Sequence, residues 1–404
     1  MEKEMGRLFL LNPNRCYFRL GRMRESRLLF IYVERRMMQP DISQLKDRLV
    51  EEIRAYVHDE TILNAFRLVP RHEFVGQFLN NTYSEGKRQW QCVSPDDPQW
   101  LLEVYTNRQL VTSVNEQRRP NVSSSHPGIM AKMIQSVKLQ RGTRVLEIGI
   151  GTGYNAAILA TLVANENVVS IDINVSLIEI ARERIERTVG PGVTLLYADG
   201  RDLQASNDFG AIIVTACHDR VEPSWIRALI PGGRIILNWS KSFSKVFLEA
   251  EKVDSGLVGR VADFCGDFMD LHDGHGAKIP LLPYEVLPKL VSLDFRAQLV
   301  QDFDFGFFLQ VNIPSLALYQ YRGKSSGIVS YSVRDDANRL VHFSSTSVSG
   351  DTSLWEEIQA LYEKFKGLGS PKRKRYELMV DDLGLMTFLY DGHEIGVIHP
   401  FVSR

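Results

Sequence analysis

Residues 144–157 read Arg144-Val145-Leu146-Glu147-Ile148-Gly149-Ile150-Gly151-Thr152-Gly153-Tyr154-Asn155-Ala156-Ala157. The short apolar run from Val145 to Ile148 is what a strand buried on both faces of a parallel sheet carries. The three glycines behind it let the backbone turn tightly and approach a ligand closely. The stretch after them predicts a helix through Ala164. A dinucleotide fingerprint spaces its glycines GxGxxG. Here the spacing is GxGxG, with an acidic residue two positions before the first glycine. That pattern fits S-adenosylmethionine (SAM), whose amino-acid end passes over such a loop. A plain strand-to-helix turn explains one glycine, but not three together with Glu147.

Downstream, Val168–Ile173, Val193–Tyr197, Ala211–Thr215 and Arg234–Asn238 read as further strands, with a helix over Val175–Thr188. Strands alternating with helices at this spacing predict an α/β fold, a doubly wound, Rossmann-like sheet that binds ligands at the carboxyl ends of its strands. Asp172 ends the second strand, 19 residues beyond Gly153. There it is placed to accept both ribose hydroxyls; the bland alternative is a cap for the helix starting near Val175. Asp199, followed by Gly200, ends the third strand and is placed to accept from the adenine amino group; the alternative is a plain turn. Glu147 is expected to orient the loop, or to hold the cofactor's ammonium through water, rather than to perform chemistry.

Upstream, Asp41 is expected to cap a helix through about Val57, a second helix lies near Ile62–Phe66, and residues 80–104 read as loop. A polar segment from Asn115 to Pro127 holds three consecutive serines, Ser123 to Ser125. After about residue 250 the alternation stops. Ile328–Val333 and Leu340–Phe343 flank a turn, Leu354–Phe365 is an amphipathic helix, and Tyr376–Val380 and Leu385–Tyr390 flank another turn. The expected organisation is a basic extension (1–40), an N-terminal helical, substrate-side segment (41–127), a SAM-binding core (128–250) and a C-terminal α+β accessory domain (251–404).

Composition narrows the function classes. The 404 residues carry 48 Lys+Arg against 49 Asp+Glu, a net of −1. That argues against a general nucleic-acid binder. Residues 1–36 hold nine Lys/Arg and four Glu, so the remaining body sums to −6. Four scattered cysteines point to a reducing, cytoplasmic setting, and no apolar run reaches membrane-spanning length. His272 and His275 form a close pair, but nothing nearby completes a metal site, so no metal is expected.

With these residues in hand, the chain resembles protein-L-isoaspartate O-methyltransferases from about residue 60 to 240. Pro70-Arg71-His72-Glu73-Phe74-Val75 is similar to that family's PRHxFV segment. Ser123-Ser124-Ser125-His126-Pro127 sits where the family has a TISQP-type motif. Val145 to Ala157 is close to its VLEIGTGSGYQAA segment, and Asp199-Gly200-Arg201 and Pro231-Gly232-Gly233-Arg234 also match. The resemblance implies that Ser125 is the active-site serine. His126 stands where the family has Gln or Ala, and is a candidate to pair with an acidic substrate; Arg71 and Arg220 are less specific candidates for that charge. The tail beyond the core resembles the one on homologues that tailor ribosomal peptides in graspetide and lanthipeptide systems.

The resemblance implies methyl esterification of an Asp or isoaspartyl carboxylate in a protein or precursor peptide, with SAM as cofactor, S-adenosylhomocysteine as product and a succinimide to follow. A carboxylate, with a reference pKa near about 4, is already an anionic nucleophile at neutral pH. No general base is needed, and positioning dominates. The competing readings are a small-molecule O-methyltransferase and a non-catalytic SAM- or peptide-binding module.

Overall fold

A computed structural model describes residues 41–84, 87–116, 118–266, 268–269, 271, 289–290, 302–322, 329–344 and 348–400. The basic extension and the His272/His275 pair lie outside the described residues.

Two capped helices open the described chain. Asp41 accepts from the Ser43 amide to start α1 (Ile42–Arg54), which buries Leu45, Leu49, Val50 and Ile53. Asp59 caps α2 (Glu60–Leu68) in the same way. Each carboxylate satisfies amides that a helix N-terminus otherwise leaves without partners.

The stretch expected to be loop is instead a hairpin, β1 (Phe78–Ser84) and β2 (Lys87–Val93), followed by α3 (Trp100–Val104). With β3 (Leu110–Val114) and β4 (Pro120–Ser124) it forms an antiparallel sheet in the order β2-β1-β3-β4. The ribbon is largely polar and Gln89, Gln91 and Cys92 are exposed, so no inside–outside alternation marked it as a strand.

The core begins at α4 (Pro127–Ser136) and β5 (Val145–Ile148), all four of whose residues are buried. There follow α5 (Tyr154–Val163), β6 (Val168–Asp172), α6 (Val175–Val189), β7 (Thr194–Tyr197), β8 (Phe209–His218), α7 (Pro223–Ala228) and β9 (Leu229–Lys241). Strands β7, β6, β5, β8 and β9 run parallel in that order. The chain order reverses at β5, so the loop after β5 opens at the switch point where such sheets bind ligands.

The sheet does not stop at the boundary expected near residue 250. Strands β10 (Ser244–Val253) and β11 (Gly256–Val261) continue it antiparallel. After β12 (Lys289–Leu290), α8 (Phe303–Asn312), β13 (Ala317–Arg322), β14 (Val329–Arg334), β15 (Leu340–Ser344), β16 (Val348–Gly350) and α9 (Thr352–Gly367), the chain returns to the same sheet. Strand β17 (Glu377–Val380) pairs with β11, and β18 (Met386–Tyr390) and β19 (His393–Ile398) complete ten strands. A second sheet, β12-β16-β15-β14-β13, holds the rest. Trp239 on β9 packs against Phe307 of α8 and Phe388 of β18, with ring centres 5.9 and 5.8 Å away. One hydrophobic cluster therefore runs from Ile148 under the glycine loop to Tyr376 and Phe388.

Candidate active site

The loop after β5 is built by its glycines. Gly149, Gly151 and Gly153 all have positive φ, at 99°, 52° and 85°, a region that side chains with a Cβ avoid. A Cβ on Gly149 would lie 2.9 Å from the Thr215 hydroxyl, and one on Gly151 3.2 Å from the Ser123 carbonyl. The loop is tied on two sides: the Gly149 amide donates to Ile171 (2.9 Å), and the Thr215 hydroxyl donates to the carbonyls of Gly149 (2.6 Å) and Ile148 (2.9 Å).

Over this loop lies a cavity of about 500 Å³. One wall is the loop itself with Asp172, Asn174 and Tyr197. A second part of the lining is Asn121 to Ser123 of β4 together with Ser125. Phe268, Met269 and Leu271 form an apolar side. That last segment is strapped to the end of β8: Cys217 donates its amide to Met269 and accepts from Leu271, while the Phe268 amide donates to the Asn238 side chain.

The expected site residues divide. Ser125, Glu147, Gly149, Gly151, Asp172 and Gly200 line the cavity together. Asp172 accepts from the amides of Ile150 (3.1 Å) and Asn174 (2.9 Å), and burial raises its pKa. It does not cap α6; Asn174 does, accepting from Leu177. Glu147 is fully buried and accepts from Asn155 (2.7 Å) and the Ser170 hydroxyl. Burial outweighs those two donors and pushes its carboxyl up to about 7.

Three expected residues stand apart from the lining. Gly153 starts α5 and packs on α6, where a Cβ would lie 3.0 Å from Ala181. Asp199 is gripped by the Nε and Nη2 of Arg201, which holds its carboxyl below the usual carboxylate range; the cavity reaches its neighbours Ala198 and Gly200 instead. His126 caps α4, its ring nitrogen accepting from the Ile129 amide, and tilts against Tyr56. Arg220, also a charge candidate, donates to Asp219.

Sequence reasoning missed what Arg71 does. Its side chain is fully buried, and its guanidinium donates to the carbonyls of Val104, Thr106, Arg108, Ser124 and Ser125 and to the Ser124 hydroxyl, at 2.7–3.3 Å. It lies 5.7 Å from the centre of the Tyr154 ring. Burial lowers its pKa to about 10, so it stays charged at neutral pH. Position within the PRHEF segment marked Arg71, but no sequence signal gives a side chain six long-range acceptors. The 268–271 strap carried no motif of its own.

Among the described residues there is no cluster of metal-ligating side chains and no helix long and apolar enough to cross a membrane.

Residues 97–271 match the family model described as protein-L-isoaspartate(D-aspartate) O-methyltransferase. The chain is 31% identical over 220 residues to the protein-L-isoaspartate O-methyltransferase of Thermotoga maritima, covering 53% of this chain and 62% of that one. It is 32% identical over 207 residues to the Opitutus terrae enzyme of that name, covering 50% and 76%. With the Bradyrhizobium sp. (strain BTAi1) enzyme it shares 32% over 181 residues, covering 45% and 71%. A solved protein-L-isoaspartate O-methyltransferase shares the fold at a TM-score of 0.51 and 24% identity, over 86% of this chain and 99% of that one.

Proposed function

The chain belongs to the protein-L-isoaspartate(D-aspartate) O-methyltransferase family, and from that premise we propose that it methyl-esterifies an Asp or isoaspartyl carboxylate of a protein or precursor peptide, using SAM. The observation that carries this reading is that Ser125 and the β4 wall share one cavity with the glycine loop, so an acceptor held at Ser125 faces a cofactor held at Gly149 to Gly151.

The residues present fit that cofactor. Gly149 and Gly151 line the cavity with no side chain, so the loop backbone is open to a ligand, and Asp172 lies at the end of β6, where a ribose is held in such folds. In this reading Asp172 takes the ribose hydroxyls, Gly200 and its neighbours border the adenine, and Glu147 fixes the loop through Asn155. Bound SAM supplies a methyl group on a sulfonium and leaves as S-adenosylhomocysteine.

The chain's own work is positioning. The Ser125 hydroxyl donates to one oxygen of the acceptor carboxylate and leaves the other free to attack in line. Transfer would form an oxygen–carbon bond as the sulfur–carbon bond breaks, and no proton would need to move. Phe268, Met269 and Leu271 exclude water from that side, which strengthens every charge interaction inside. The ester then has a better leaving group than the free acid. A neighbouring backbone nitrogen closes a succinimide with loss of methanol, without help from a side chain of this protein.

The test incubates the protein with labelled SAM, an isoaspartyl model peptide and candidate precursor peptides from neighbouring genes. A base-labile ester on the isoaspartyl peptide supports general repair. Transfer confined to a precursor peptide selects peptide tailoring, the role the resemblance of the C-terminal tail favours. SAM binding with no transfer to any of them overturns the enzyme reading in favour of a binding module.

A further inference from the structure

An acceptor carboxylate is an anion, yet no Lys, Arg or His is among the described residues that line the cavity. The acidic groups that do line it, Glu147 and Asp172, offer an anion no attraction. His126, the histidine nearest in sequence, is half-buried, and burial together with the Arg71 charge lowers its pKa, so its ring is neutral at pH 7. Arg220 is held within 4 Å of both Asp219 and Glu222. The sulfonium of bound SAM would bring one positive charge; any further one from the chain itself has to act from outside the lining.

Arg71 has the required properties. Among the described residues no carboxylate lies within ion-pair distance of it, and every acceptor it touches is a neutral carbonyl or hydroxyl. Its charge is therefore spread over a web of carbonyls but not cancelled. Two of those acceptors are the carbonyls of Ser124 and Ser125, at 3.3 and 3.1 Å, and a third is the Ser124 hydroxyl, at 3.2 Å. The guanidinium, fully buried and outside the cavity lining, thus lies behind the Ser124–Ser125 backbone, and Ser125 itself lines the cavity. In a buried setting, a unit charge is weakly screened and acts over several ångströms.

We propose that Arg71 is the positioning residue for the methyl acceptor: it fixes the Ser124–Ser125 turn and, from behind that turn, supplies the positive charge that selects an anionic acceptor. This rests on the carboxyl-methyltransferase reading above. Arg71 does not contact the acceptor; it acts through the Ser125 backbone and through its field. The specificity it confers is for charge, a carboxylate over a carboxamide of the same shape.

The experiment measures inhibition constants for two peptides that differ only at the acceptor, one isoaspartyl and one with the corresponding neutral side-chain amide. Both are measured against methyl transfer to a labelled isoaspartyl substrate. The wild-type protein should prefer the acid by roughly tenfold or more, the scale expected of a nearby unit charge in a site of intermediate dielectric. Arg71→Gln should cut the ratio severalfold, to what the bound sulfonium alone supplies. Arg71→Lys, which keeps the charge but loses the fork, should retain most of the preference while lowering kcat. SAM affinity by calorimetry should be unchanged in both variants, which also reports that they fold.

A merely structural Arg71 would weaken both peptides equally and leave the ratio alone, and that result overturns the proposal. Should the variants not fold, the wild-type ratio still decides: no preference for the acid over the amide overturns it. If the wild-type protein does not methylate the isoaspartyl peptide at all, the function reading fails instead, and the two failures are distinct.

Discussion

The carbonyl oxygen of Ser123 lies 3.2 Å from the point a Cβ on Gly151 would occupy. The strand that delivers Ser125 and the loop proposed to deliver the cofactor are thus packed backbone to backbone. Gly151 also has φ of +52°, where an L side chain is strained by about 1 kcal/mol. Gly151→Ala should therefore weaken SAM binding by about tenfold and lower methyl transfer further, because the methyl group moves the loop and the β4 wall apart. Calorimetric titration of SAM into the variant tests this; unchanged affinity would show that the close approach is incidental.

Ser125→Ala separates binding from transfer. The serine lines the cavity, while its carbonyl, not its hydroxyl, anchors it to Arg71. Removing the hydroxyl leaves the turn in place. SAM affinity should stay within about twofold, while kcat/KM for the peptide falls by about a hundredfold, the usual effect of losing one oriented donor. A fall in SAM affinity of the same size would assign Ser125 to the cofactor instead.

Glu147 gives a pH dependence with a definite sign. Its carboxyl titrates near 4.5 when unfolded and at about 7 in the folded protein. The folded state therefore holds a proton that the unfolded state has lost across that window. The favourable contribution is complete below pH 4.5 and is lost as pH rises through 7, by up to about 3 kcal/mol. Glu147→Gln removes this term, so the variant should gain stability on the wild type between pH 5 and 8. Urea unfolding at both ends checks it; parallel profiles would mean the carboxyl titrates normally.

The ten-stranded sheet predicts that the two halves of the chain unfold together. Phe388 on β18 is fully buried and reaches Trp239 and Phe307. Phe388→Ala should cost about 3–5 kcal/mol. Hydrogen exchange should report equal losses of protection at β5 and at β18. A loss confined to β18 would mean that the C-terminal strands open on their own.

These particulars also mark how far the sequence could be read. The strand–loop–helix at 145–163 was legible because three glycines and a buried apolar run are local signals, and so were the caps at Asp41 and the turn near Asp335. The pairing of β11 with β17 was not, because Leu257 and Val380 are partners across more than a hundred residues and nothing in either short strand names the other. At the site, residue types were found and their attachments were not. Ser125, Asp172 and Gly200 meet at one cavity, but the grip of Arg201 on Asp199 and the web around Arg71 depend on side-chain directions that no spacing encodes.

His126 is where residue type misleads most, and it carries the last prediction. A histidine beside the expected active-site serine reads as a partner for an acid. In the fold its ring accepts from the Ile129 amide at the start of α4, at a long 3.4 Å. Only a neutral ring has a lone pair for that bond. Burial and Arg71 both lower its pKa, so the stability it contributes is present above its unfolded value near 6.5 and is lost as pH falls through the depressed folded value. His126→Asn keeps an N-cap that does not titrate. It should leave kcat/KM for the peptide within about threefold and remove this loss of stability in acid; His126→Ala should cost about 1 kcal/mol at pH 7. If His126→Asn instead abolishes methyl transfer while SAM remains bound, the ring serves the acceptor as well as the helix.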